Sequence, residues 1–146
     1  MTKPNLFHYA TSELSNDAAI CWLLAWGKEP NSLFFELAND LVNHFLDRTK
    51  NPIKIKDIRV KRQVQSIDIL VEVNNEYLIA IEDKLGSSHH SDQLRRYKNC
   101  LAEEYPKHTH AFIYLTIEDE SYYGDIRNFG YKIVTRSNLL KLMEKY

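Results

Sequence analysis

Hydrophobic and polar positions recur with two different periods along this chain, and the changes of period mark out its elements. Thr11-Ser12-Glu13-Leu14-Ser15-Asn16-Asp17 gathers residues that cap a helix start, with acids where the first turn favours them. The spacing predicts a helix from there through Trp26, apolar on nearly every side from Ala18 and so buried, with Gly27 as its stop. After a turn at Glu29-Pro30-Asn31-Ser32, a second helix is predicted over 32–48. Leu33, Phe34, Leu37, Ala38, Leu41, Val42 and Phe45 face inward there, with Glu36, Asn39, Asp40 and Asn43 outward.

Beyond Asn51-Pro52 the period falls to two, and Ile53 to Gln65 reads as a strand with one apolar and one basic face. Ser66 to Lys84 holds two aliphatic runs broken by Asn74-Asn75, a hairpin signal because Asn tolerates positive φ. A helix over about 91–105, with Leu94, Tyr97, Leu101 and Ala102 inward, ends at Pro106. His110 to Ile117 is apolar on both faces and therefore a central strand. Tyr131–Thr135 forms a last strand, and Ser137 caps a final helix over Asn138–Tyr146. Strands that run together and then cross over through a helix imply a mixed α/β sheet with helices on its faces.

Composition narrows the class without naming an activity. At 146 residues, 44% hydrophobic and 27% charged, with four Gly and four Pro, the chain is expected to form a single domain, 1–146, with a full core. A net charge of −1 carries no global field for nucleic acid, so any basic surface is local. Cys21 and Cys100 lack C-x-x-C spacing and read as reduced structural thiols, which favours the cytoplasm. No signal peptide and no membrane span is expected.

The hairpin carries the chemistry. Asp68, Glu82 and Lys84 sit in strands whose other positions look like core, where charges are costly unless they pair or hold a metal. A two-residue loop would put Asp68 opposite Ile81 and send Glu82 to the other face. A three-residue loop, Asn74-Asn75-Glu76, pairs Val73 with Tyr77, sets Asp68 opposite Glu82 and Lys84 opposite Ser66. It also gathers Ile67, Ile69, Val71, Val73, Tyr77, Ile79 and Ile81 on one apolar face, and this burial pattern selects it. Two facing carboxylates repel, and oxygen-only ligation suits Mg²⁺ or Mn²⁺. Lys84 beside them suits metal-assisted phosphodiester hydrolysis. A bare E-x-K is also an ordinary surface salt bridge, and it is Asp68 across the hairpin that adds weight.

Ile67-Asp68, Glu82-Asp83-Lys84 and then Gln93 with Tyr97 as Q-x-x-x-Y resemble the PD-(D/E)XK nuclease superfamily. Thr11 to Ala18 with Cys21-Trp22-Leu23-Leu24 resembles a bacterial group within it, so the likeness spans most of the chain. The resemblance implies a restriction-endonuclease-like α-β-β-β-α-β core with an extra N-terminal helix and a C-terminal strand and helix. It implies Mg²⁺ or Mn²⁺ held by Asp68, Glu82 and the main-chain carbonyl of Asp83, with Glu13 completing the site. Lys84 would be the catalytic lysine, and Gln93 would orient it or a phosphate, with Tyr97 in support. Ile67 stands where the motif has Pro.

From the residues alone, Glu13 is an ordinary first-turn acid, and Asp17, one turn on, a structural one. His89-His90 lack the partners of a zinc site and read as loop residues. Gln93-Arg95-Arg96-Lys98 gives the third helix a basic edge able to steer a nucleic-acid backbone, a supporting sign only. Trp22 and Trp26 read as core, and Glu118-Asp119-Glu120 as a solvated loop. The expected function is a metal-dependent nuclease acting on DNA before RNA, with no membrane partner. A homodimer or a partner protein that supplies targeting is the expected further partner. The alternative is a catalytically silent nucleic-acid-binding or assembly module on the same fold.

Overall fold

The computed structural model describes residues 3–4, 16–65, 67–84, 91–116 and 124–146. Glu13 and the start of the first helix, Ser66, the loop with His89 and His90, and the acidic loop at 118–120 lie outside them.

Helix α1, Asn16–Ala25, runs on into a 3-10 turn at Trp26–Lys28, so Gly27 does not end it. That glycine is buried for another reason: a Cβ there would lie 3.0 Å from Ile55 Cδ1 and 3.2 Å from Ile58 Cγ2. Helix α2, Leu33–Phe45, begins where Ser32 Oγ accepts from the Phe34 N–H at 3.1 Å. Its inward face is rotated from the expected one. Phe35 is buried, while Leu33 and Phe34 are 72% and 41% exposed. The first turn overhangs the end of α1, and Phe34 packs its ring on Trp22 and Trp26 instead, at 5.8 and 5.0 Å between centroids.

Asn39 and Asn43, expected outside, also turn inward. Asn43 is buried, and its Oδ1 accepts from the Ile53 N–H at 2.8 Å while its Nδ2 donates to the Ile53 carbonyl at 2.9 Å. Asn39 Oδ1 accepts from the Ile55 N–H at 2.8 Å. Asn74, in the hairpin turn, accepts on Oδ1 from the N–H groups of Lys56 and Asp57 and donates to the Lys54 carbonyl. Three asparagines thus occupy the backbone groups of 53–57, and strand β1 starts only at Ile58, running to Val64. An alternating pattern is not enough for a strand when the hydrogen bonds are taken by side chains.

Strands β2, Ile67–Val73, and β3, Tyr77–Lys84, form the hairpin. Helix α3, Ser91–Glu104, crosses over to β4, Thr109–Thr116. Helix α4, Gly124–Asn128, which the residue pattern did not suggest, precedes β5, Tyr131–Thr135, and α5, Arg136–Met143. Thr135, not Ser137, caps α5: its hydroxyl accepts from the Asn138 N–H, and the Asn138 side chain accepts from the Thr135 N–H. The five strands lie in the order β1-β2-β3-β4-β5, antiparallel up to β3 and parallel from β3 to β5. β4 is interior, as its two apolar faces require.

One face of the sheet packs Ile69, Val71, Val73, Ile79 and Ile81 against α1, α2 and α5. The other packs Leu70, Leu78, Ala80, Phe112 and Tyr131 against Leu94, Tyr97 and Leu101 of α3 and Ile126 of α4. Ile67 departs from the expected face and joins this second cluster. The strands twist there, with Gln63 and Gln65 at φ of 54° and 52°. Ala102 is exposed rather than core. Among the described residues, no helix is long and apolar enough to cross a membrane.

Removing the Asn43 amide strands the buried N–H and C=O of Ile53. Asn43→Ala is expected to cost about 2–3 kcal/mol of stability in urea unfolding. An unchanged midpoint would show that these bonds do not hold the segment.

Candidate active site

The β2–β3 register decides whether the acids meet. It runs from Val73↔Tyr77 to Ile69↔Ile81, the three-residue-turn register, with Asn74 and Asn75 at φ of 57° and 54°. The ladder closes at Ile69↔Ile81, and one step further the same register leads to Asp68 and Glu82. There the Asp68 side chain reaches across, and its Oδ2 accepts from the backbone N–H of Asp83 at 2.8 Å.

Alternation then places the neighbours. Leu78 and Ala80 belong to the α3 side of the sheet, so Glu82 continues that face. Glu82 is buried at 6% exposure, and Asp68 is half-buried. Both bear on Tyr97. Burial raises the Tyr97 pKa most, followed by the charges of Glu82 and Asp68, with Arg96 opposing. A phenol in that field stays protonated and serves as a donor. Tyr131 is likewise held protonated by burial and then by Glu82, and its hydroxyl donates to the Leu94 carbonyl at 3.3 Å.

Asp83 points the other way. It lines a mainly apolar cavity of about 220 Å³ with Ala19, Leu23, Leu115, Arg136 and Leu139, on the α1 and α5 side. Its carboxyl shares a hydrogen bond with Asp17 of α1. Burial, then that bond and the Asp17 charge, then the charges of Asp68 and Glu82, push the Asp83 pKa up to about 8. The family resemblance implies a role for the Asp83 carbonyl alone, and the residues by themselves read Asp17 as structural. Strand alternation was the signal that its side chain belongs on the opposite face.

The remaining site candidates divide. Gln93 is half-buried near the start of α3 and opens onto the same groove as Tyr97. Lys84 is described as backbone, opposite Thr116 at the end of β3. Glu13 lies outside the described residues. Among those residues no group of three or more His, Cys, Asp or Glu is placed to hold a metal ion. Asp68 and Glu82 nevertheless form the donor set of hard oxygens that Mg²⁺ takes when water and substrate phosphate complete its shell. Glu82 also sits near the C-terminal end of β3, beside the parallel strand β4, where sheets of this kind open onto ligands, and Asp68 at the start of the antiparallel β2 comes to the same end of the sheet.

The family model of the PD-(D/E)XK nuclease superfamily matches residues 5–144. The chain belongs to the PD-(D/E)XK nuclease superfamily. No curated protein and no solved structure gives a significant match. The five-stranded mixed sheet with helices on both faces is the restriction-endonuclease-like architecture of that superfamily. Membership supports a nuclease-type function in general.

The raised Asp83 carboxyl has a thermodynamic signature. The folded protein keeps a proton that the unfolded chain releases near pH 4, so this stabilisation is complete below about pH 4. It declines as pH rises to about 8. In EDTA, unfolding midpoints are expected to fall across that window. Asp83→Asn, which keeps the carbonyl and does not ionise, is expected to flatten the fall. An equally steep fall in the variant would assign it to other groups.

Proposed function

We propose that this chain is a Mg²⁺- or Mn²⁺-dependent nuclease that hydrolyses phosphodiester bonds in DNA. The observation that supports the reading is the three-residue-turn register, which leads from Ile69↔Ile81 toward Asp68 and Glu82, with Asp68 Oδ2 accepting from the Asp83 N–H, in a chain whose family is a nuclease superfamily.

In this reading Asp68, Glu82 and the Asp83 carbonyl hold the cation, and Glu13 completes the set. The cation, when bound, polarises the scissile phosphate and lowers the pKa of a water. The bond from Asp83 N–H fixes one oxygen of Asp68, so the carboxylate is oriented before any ligand arrives. Lys84, two positions past Glu82, holds the attacking water and offsets negative charge as it develops on the phosphate. Gln93 orients Lys84 or a phosphate oxygen, and the protonated Tyr97 hydroxyl supports that end of the site.

Purified protein is expected to cleave DNA with Mg²⁺ or Mn²⁺ and to stop in EDTA. Lys84→Ala and Asp68→Ala are expected to lower the rate roughly 100- to 10,000-fold. Mn²⁺ is also expected to raise the thermal midpoint of the wild type and not that of Asp68→Ala. Equal trace activity in wild type and variants would exclude the enzyme. DNA binding without turnover would then point to a silent nucleic-acid module.

A further inference from the structure

Beside the acids, on the α3 side, lies an open groove of about 230 Å³ lined by Gln65, Gln93, Arg96, Tyr97 and Cys100. Tyr97 joins it to the candidate site, since Glu82 and Asp68 act on that phenol. The groove is smaller than the ~300–1,000 Å³ typical of sites that enclose a whole small molecule. It suits one unit of a longer chain.

The cations around it have different employments. Arg95 stacks over Phe129 at 5.2 Å, and Lys98 donates to the Phe129 carbonyl. Arg96 is exposed and lines the groove. Its planar fork of N–H donors matches a phosphate bidentately. Lys61, exposed and paired with Leu70 of the α3-side cluster, extends positive charge along β1.

Gln65 forms the opposite wall. Its Oε1 accepts from the Cys100 thiol and its Nε2 donates to Glu104 Oε1, so the amide is held in place from α3. One N–H goes to Glu104, and the other belongs to an already ordered group, which lowers the entropy lost on binding.

We propose that this groove seats the nucleotide next to the scissile phosphate, with Arg96 binding its phosphate and Gln65 presenting a neutral N–H to its sugar or base. The proposal rests on the nuclease reading, and it assigns substrate contacts that the two acids do not make. Lys107, exposed after the far end of α3, lies at the opposite end of the sheet and provides a control of equal charge.

The test is anisotropy of labelled DNA, as a duplex and as a single strand, titrated with wild type, Arg96→Ala, Arg96→Lys, Gln65→Ala and Lys107→Ala in EDTA over a range of NaCl. Arg96→Ala is expected to reduce the slope of log affinity against log salt by about 0.9 on duplex or about 0.7 on single strand. The arm that shows the reduction identifies the form of strand that the groove takes. Arg96→Lys is expected to keep the slope, Gln65→Ala to weaken binding at an unchanged slope, and Lys107→Ala to change neither. A wild-type slope for Arg96→Ala, an equal reduction for Lys107→Ala, or no binding by the wild type overturns the proposal. The expected slopes without cleavage in Mg²⁺ or Mn²⁺ would overturn the nuclease reading and leave the groove standing.

Discussion

The pairing of β2 with β3 rests on a turn in which two successive asparagines hold positive φ, and most of what positions the site follows from it. The Glu76 N–H donates to the Val73 carbonyl at 3.1 Å and closes the turn. The Asn74 side chain then ties down the segment that leads into β1. A slip of one residue in this register would exchange the faces of every later side chain on β3. Glu82 would enter the cluster of Ile79 and Ile81, and Asp68 would face an isoleucine. The hydrophobic face and the candidate site are therefore held by the same constraint. Burial of the isoleucines stabilises the register that also brings two acids together.

Acids are treated differently at the two ends of the sheet. Near the turn, Glu72 meets His108 at 2.7 Å and Arg59 at 3.5 Å, as a structural carboxylate does. At the far end, Glu82 and Asp68 act on Tyr97, and Asp83 presses against Asp17 on the other side of the strand. Concentrating negative charge in partly buried surroundings is costly, and the pKa of Asp83 registers that cost. A fold stabilised elsewhere by two hydrophobic layers tolerates such a strained end. A cation placed there would relieve that repulsion.

Crossover through α3 does more than connect parallel strands. The helix brings Gln93, Arg96 and Tyr97 over the same face as Glu82, and through Cys100 and Glu104 it holds Gln65 at the end of β1. The antiparallel half of the sheet and the crossover helix thus meet at one groove. Glu82, Asp68 and Arg96 all act on Tyr97 there.

Local pattern alone determined the order of the elements apart from the short α4, the mixed sheet, the interior place of β4 and the register of the hairpin from Val73 to Ile69. Each of these depends on period, turn chemistry or the burial of one face, which neighbouring residues encode directly. The chain's own motif also pointed to Asp68, Glu82 and Lys84, and the family match agrees on the superfamily. Tertiary structure decided what depends on contacts distant along the chain. Asn39 and Asn43 turned inward because the 53–57 backbone needed partners, and β1 shortened as a result. Phe34 left the core because Trp22 and Trp26 offered it a surface. Asp17 reached Asp83 only once α1 packed on the sheet, and Gln65 met Cys100 and Glu104 only through the crossover. No spacing along the chain encodes those meetings, since they arise from how the layers pack.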